Sequence, residues 1–139
     1  MFLKNRYEIE QWLYEYKIEN FTINDDLTVD VMGRVNLFRN SLVIVPVKFN
    51  IVTGDFSCTY NEITTLEFAP KEVGGSFFCH KNCLTTFRGL PEKINNHFLC
   101  FSNPITTLEG APKNKLKEII ETYPHLTHTV STEDLLEII

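Results

Sequence analysis

The chain repeats itself every 21 residues. "GDFSCTYNEITTLEFAPKEV" (54–73) aligns without a gap on "GSFFCHKNCLTTFRGLPEKI" (75–94) and on "NHFLCFSNPITTLEGAPKNK" (96–115). Phe56, Phe77 and Phe98 share a column, as do Cys58, Cys79 and Cys100, then Asn61, Asn82 and Asn103, and finally Pro70, Pro91 and Pro112. Paired threonines recur at 64–65, 85–86 and 106–107. A degenerate copy, "GRVNLFRNSLVIVPVKFNIV" (33–52), precedes these, with Val35, Leu37, Asn40 and Leu42 in the matching columns and Pro46 three residues early. A period of this length marks a solenoid, in which one unit is one coil and buries its apolar side only by stacking on its neighbours.

Within a unit, "SFFCH" alternates. Phe77 and Cys79 fall on one side of a short strand, and Ser76, Phe78 and His80 on the other. The first side is apolar in every copy and is expected to face inward. Stacked parallel strands then place equivalent residues in ladders about 4.8 Å apart, and the rest of each coil is expected to return irregularly beneath one parallel sheet. The asparagine column fits a buried amide that satisfies backbone groups at the turn of each coil.

The same alternation decides between two readings of Cys79, His80 and Cys83. Leu37 occupies the cysteine column in one copy, so that position asks for apolar volume and not for sulfur. Cys79 and His80 point to opposite sides of the strand, and no second complete ligand pair accompanies them. No metal and no cofactor is expected. Cys83 is out of register and is expected at the surface. Gly74-Gly75 reads as the tight turn of a coil. No phosphate loop, nucleophile elbow or metalloprotease helix is present.

Written with its gaps, the unit F-x-C-x-x-N-x-[IL]-T-T-[LF]-x-x-x-P resembles the leucine-rich-repeat consensus, with Phe77, Cys79, Asn82 and Leu84 in its last four fixed positions. The short period and the proline-bearing return look like the short bacterial type. "APKEVGGSFFC", "ITTLEGAPK" and "FTINDDLTVDVMGRVNL" resemble small leucine-rich-repeat proteins encoded by tailed bacteriophages, over residues 21–112. The first consensus leucine is replaced by a glycine pair or its equivalent. The resemblance implies an α/β repeat fold, a short leucine-rich-repeat solenoid with parallel strands. It further implies a binding scaffold in place of an enzyme, acting on a host protein in the host cytoplasm, such as a defence nuclease or toxin that it blocks.

A solenoid needs its terminal coils covered. Residues 3–18 read as an amphipathic helix with Ile9, Trp12, Leu13 and Tyr16 at helical spacing, and "FTINDDLTVDV" reads as two strands about an Asn-Asp-Asp turn. After Pro112, "KNKLKEIIETY" reads as a helix burying Leu116, Ile119, Ile120 and Tyr123. Ser131 with Asp134 resembles a capping box opening a last helix, "TEDLLEII". One domain is expected: residues 1–33 as helix-and-hairpin cap, 34–112 as four repeats and 113–139 as helical cap.

Charge separates along the same boundaries. Residues 1–33 set three basic side chains against seven acidic ones, whereas residues 34–112 are nearly balanced. A hydrophobic content of 43% with 22% charged residues is that of a soluble globular chain, and the net charge of −5 argues against attraction to nucleic acid or an anionic membrane. Mimicry of nucleic acid by the acidic N-terminal cap is a distant alternative. The N-terminus lacks the pattern of a signal peptide, and four cysteines without one fit a reducing, cytoplasmic location.

The outward strand positions are the expected binding surface, on the concave strand face. They fall in columns: Arg34, Asp55, Ser76, His97; Asn36, Ser57, Phe78, Leu99; and Phe38, Thr59, His80, Phe101. Phe38, Phe78, Leu99 and Phe101 are large apolar groups where polar ones would suffice, which is the composition of protein-interaction anchors. Burial beneath a terminal helix is the alternative for them, and self-association through them is open. His80 and His97 share their columns with no carboxylate except Asp55, too little for a metal site or a catalytic pair. A His/Cys metal protein or enzyme is therefore the second functional class. His125 and His128 read as loop residues.

Overall fold

A computed structural model of the chain describes residues 1–130 and Glu133. Helix α1 (Arg6–Glu15) starts at Asn5, whose side-chain oxygen accepts the Glu8 N–H at 2.9 Å. It is followed by an antiparallel hairpin of β1 (Phe21–Ile23) and β2 (Val29–Val31). The repeats then supply β3 (Val35–Asn36), β4 (Phe49–Val52), β5 (Phe56–Ser57), β6 (Glu72–Val73), β7 (Phe77–Phe78), β8 (Lys93–Ile94) and β9 (Phe98–Leu99). A 3-10 turn at Lys113–Lys115, helix α2 (Leu116–Thr122) and a 3-10 helix at Pro124–Thr129 follow. His125 and His128 thus lie in a 3-10 helix and not in the expected loop. The final helix expected from Ser131 and Asp134 lies outside the described residues.

The strands build a parallel β-solenoid of about three turns with two sheets, not one. β3, β5, β7 and β9 form one sheet, pairing Val35 with Phe56, Phe56 with Phe77 and Phe77 with Phe98. The other has the order β1-β2-β4-β6-β8, where Val52 pairs with Val73 and Val73 with Ile94. The return of each coil, irregular by expectation, carries a strand of its own. The residue just before each corner (Val52, Val73 or Ile94) is an inward apolar residue, and it repeats at the same 21-residue interval. A regular corner then turns the chain from one sheet into the other. At one such corner a Cβ on Gly74 would collide with the Thr53 carbonyl oxygen, and one on Gly75 with the Asp55 carboxylate, whereas Asn95 and Asn96 make the same backbone bonds at the next corner. The degenerate copy departs from the rest before Phe49, where the Pro46 carbonyl accepts the Leu3 N–H at 2.9 Å.

Between the sheets lies a ladder of rings. Phe56 and Phe77 stack at 5.5 Å, Phe77 and Phe98 at 6.3 Å, and Phe49 meets Phe56 edge-on at 5.2 Å. Cys58, Cys79 and Cys100 fill the adjoining column with Leu37, all buried. Leu13 and Ile9 of α1 join this core at one end, and Ile119 and Tyr123 join it at the other.

Each asparagine of the repeat ties coils together. Asn82 donates to the carbonyls of Cys58, Cys79 and His80 at 2.9, 3.1 and 3.4 Å, and accepts the Ile63 N–H at 3.0 Å. Asn61 and Asn103 repeat the pattern. Tyr60, Lys81 and Ser102, each just before a buried amide, take left-handed backbone with φ of 57°, 59° and 57°, and Arg39, before Asn40, shares it with φ of 54°. Such backbone costs a non-glycine residue about 1 kcal/mol or more, which the buried amide bonds offset. Past the last coil the Tyr123 hydroxyl takes the amide's place: it accepts the Asn103 N–H at 3.0 Å and donates to the Cys100 carbonyl at 2.6 Å. Asn40, with no coil before it, is exposed, and its side chain donates within its own coil, to the Phe38 carbonyl at 3.3 Å.

Among the described residues no helix is long and apolar enough to cross a membrane. Replacing Asn82 with Ala strands several buried backbone groups and is expected to cost roughly 2–4 kcal/mol, while Asn40→Ala is expected to cost less than about 0.5 kcal/mol. Urea denaturation of both variants checks this. Equal, small losses would show that the amide ladder does not hold the coils.

Candidate interaction surface

The two sheets present different outer faces. On the β1-β2-β4-β6-β8 sheet, Glu72 stands in register with Lys93 on one side and with the exposed Ile51 on the other. Charges of opposite sign placed side by side make this a solvated surface. The β3-β5-β7-β9 sheet instead carries Asn36, Ser57, Phe78 and Leu99 in one outward column, with the Phe38, Thr59, His80 and Phe101 column beside it.

The rings of this face form one connected cluster. Phe38 meets Tyr60 edge-on at 5.3 Å, Tyr60 meets His80 at 6.4 Å, and His80 meets Phe78 at 6.3 Å. The His80 imidazole lies flat on the Phe101 ring at 4.3 Å. Exposure remains high for such large groups: 45% for Phe38, 41% for Leu99 and 38% each for Tyr60 and Phe101. Phe78 and His80 are half-buried. Among the described residues, then, neither α1 nor α2 covers the cluster, while the last expected helix lies outside them.

Two cations complete it. The Arg39 guanidinium carbon sits 5.0 Å from the Tyr60 ring centre and 5.2 Å from that of Phe38, and the Lys81 ammonium 4.9 Å from Tyr60 on the neighbouring coil. Cation–aromatic contacts at exposed sites contribute about 0.5–1 kcal/mol each and hold both long side chains against the ring. Arg39, Tyr60 and Lys81 are absent from the sequence-predicted set because they lie beyond the strand ends, where strict alternation stops. Their shared position, one residue before each asparagine, was the signal that could have found them.

Several predicted positions serve the scaffold. Thr59 is buried and not on the accessible face, with its hydroxyl 3.3 Å from that of Ser57. Ser76 is buried too; its hydroxyl accepts the His97 N–H at 3.1 Å. Asp55 is exposed, yet its carboxylate accepts the Ser76 N–H at 2.7 Å, so this column links each coil to the next. Asn36 accepts the Phe38 N–H at 3.1 Å. The His97 side chain is exposed. A depression of about 250 Å³ lies among Arg34, Asn36, Phe38, Asp55, Ser57 and Phe78.

The thiols divide sharply. Burial pushes Cys58 and Cys100 up to about 12 and raises Cys79 well above the ordinary thiol value, whereas Cys83 is exposed. Among the described residues no three His, Cys, Asp or Glu side chains come together as a metal site. Burial lowers His80 below the ordinary 6.5; interaction with the Leu99 backbone opposes this and the neighbouring Lys81 charge adds to it, while Nδ1 has no partner at normal hydrogen-bond geometry.

In the folded protein at pH 7, Ellman's reagent should therefore titrate one thiol quickly and four after unfolding, and Cys83→Ser should abolish the fast one. Fast reaction of a second thiol would contradict the burial of the cysteine column. A depressed His80 means that the unfolded chain binds the proton first. The stability it contributes is complete above the unfolded value of 6.5 and declines as the pH falls through that value toward the lower folded one. Denaturation midpoints measured from pH 8 to pH 5 should fall less steeply in His80→Phe; an unchanged slope would remove His80 as the cause.

Comparison with protein-family models, with curated proteins and with solved structures finds no match to this chain.

Proposed function

We propose that this protein is a non-enzymatic interaction module that binds another protein through the outer face of the β3-β5-β7-β9 sheet. The single observation that carries this is the contrast between the two faces. One bears complementary charges in register, while the other gathers Phe38, Tyr60, Phe78, His80, Leu99 and Phe101 into one exposed cluster flanked by Arg39 and Lys81. Clustered aromatics with arginine at the centre of an accessible surface are what protein interfaces use as anchors.

The finer reading adds the leucine-rich-repeat type, with α1 and the β1–β2 hairpin as one cap and the C-terminal helices as the other. The match of Phe77, Cys79, Asn82 and Leu84 to that consensus supports it, as does the Tyr123 hydroxyl at the last coil. The likeness of "ITTLEGAPK" and "APKEVGGSFFC" to phage-encoded repeats makes a host protein the partner, met in the host cytoplasm and blocked or redirected by binding, a defence nuclease or toxin being one such target.

An affinity pull-down from bacterial lysate tests this, comparing the natural sequence with a Phe78→Ser/Phe101→Ser variant whose circular dichroism and melting are preserved. One host protein retained by the first and lost by the second is the expected result. A partner kept by both would move the site to another face, and no retained partner would remove the host-binding reading.

A further inference from the structure

Helix α1 carries a second exposed surface, where the Tyr14 ring meets Phe21 edge-on at 5.5 Å. Ile9 and Leu13 are buried against the core, and the opposite side shows Tyr7 and Tyr14, exposed by 72% and 59%. Gln11 lies between them, also exposed. Glu8 and Glu15, exposed beside the two tyrosines, take part in no ion pair among the described residues. At 3.6 residues per turn, positions 7, 11 and 14 make one stripe and positions 8 and 15 the ridge next to it. The segment around this helix is the acidic end of the chain, with seven acidic against three basic side chains in residues 1–33.

The cations of the aromatic face are likewise without carboxylate partners among the described residues. Arg39 and Lys81 hold equivalent positions two coils apart, on either side of Tyr60. Two steps of about 4.8 Å separate them by roughly 9.6 Å along the stack. Glu8 and Glu15 are seven residues apart on a helix, or about 10.5 Å at a rise of 1.5 Å per residue. A helix laid along the stacking direction therefore meets both cations with both carboxylates, and Tyr7 and Tyr14, at the same spacing, come down beside Phe38, Tyr60 and the His80–Phe101 pair.

We propose that α1 of a second copy docks on this face, its Glu8 and Glu15 carboxylates engaging Arg39 and Lys81. The inference rests on the reading of the face as an interaction surface and names the partner that the molecule itself supplies. Helix and face are different surfaces of one chain, so the contact is head-to-tail: each copy offers a helix to one neighbour and a face to another. Charged pairs at an exposed contact weaken in salt.

Sedimentation equilibrium of the full chain, from micromolar to near-millimolar concentration, tests this. At low salt the mass should rise with concentration above the 16.1 kDa monomer, and at about 0.5 M salt the association should weaken about tenfold or more. Arg39→Gln/Lys81→Gln and Glu8→Gln/Glu15→Gln, each with preserved circular dichroism, should both be monomeric. Mixed in equal amounts they should form a 1:1 complex that grows no further, because one supplies the only intact helix and the other the only intact face. A natural chain that stays monomeric throughout, a Glu8→Gln/Glu15→Gln variant that still associates, or a mixture that fails to pair would each overturn the proposal. Should the natural chain be monomeric while Phe78→Ser/Phe101→Ser still loses a lysate partner, self-docking falls and the face remains an interaction surface. Should neither pair of substitutions alter any association, both fall.

Discussion

The structure depends on one side-chain amide used three times. A two-residue strand forms too few bonds to specify a sheet, and isolated short hairpins are marginal in water. What makes a coil of such strands hold is an asparagine whose NH2 group gathers carbonyls from its own coil and the previous one, while its oxygen accepts a backbone N–H of that same neighbour. The bonds are buried, so leaving them unmade is costly, and the coil has one low-energy way to satisfy them. The phenylalanine ladder supplies apolar burial, but stacked rings alone tolerate sliding. The amide fixes the register.

That fixed turn also shapes the accessible surface. Arg39, Tyr60 and Lys81, each one residue before an asparagine of the repeat, share left-handed backbone and so leave the strand at the same angle on successive coils. Three side chains distant in sequence thereby meet, with both cations within about 5 Å of the Tyr60 ring centre. The element that orders the interior also sets the geometry of the exterior, which explains why the cluster is continuous across coils and does not scatter.

The repeat makes much of the fold legible in the sequence. The period, the inward Phe and Cys columns, the hairpin at residues 21–31 and the burial of Leu116, Ile119 and Tyr123 can all be read from alternation and spacing. The second sheet is harder to see. β6 and β8 are two residues long and carry one inward apolar residue each, Val73 or Ile94, too brief for a period of two to register. The candidate face is half legible for a related reason. Alternation correctly turns Phe38, Leu99 and Phe101 outward, but it also turns out Thr59 and Ser76, which the packing of adjacent coils buries. It says nothing of Tyr60, since alternation ends where the strand does. Hydrogen bonds that a side chain accepts from the next coil's backbone, such as that from the Ser76 N–H to Asp55, have no sequence signature at all.

The Tyr123 hydroxyl has a consequence for how a chain of this kind can change length. It meets the Cys100 carbonyl, the group that another asparagine would meet in a further coil, and the Asn103 N–H, as Asn61 meets the N–H of Asn40. The closing segment thus recognises a generic rung and not a particular sequence. Duplication or loss of one 21-residue unit upstream would leave that recognition intact. The chain can therefore lengthen or shorten in whole units while the segment that carries Tyr123 stays fixed, and the length of the outer face becomes a quantity that evolution adjusts in discrete steps.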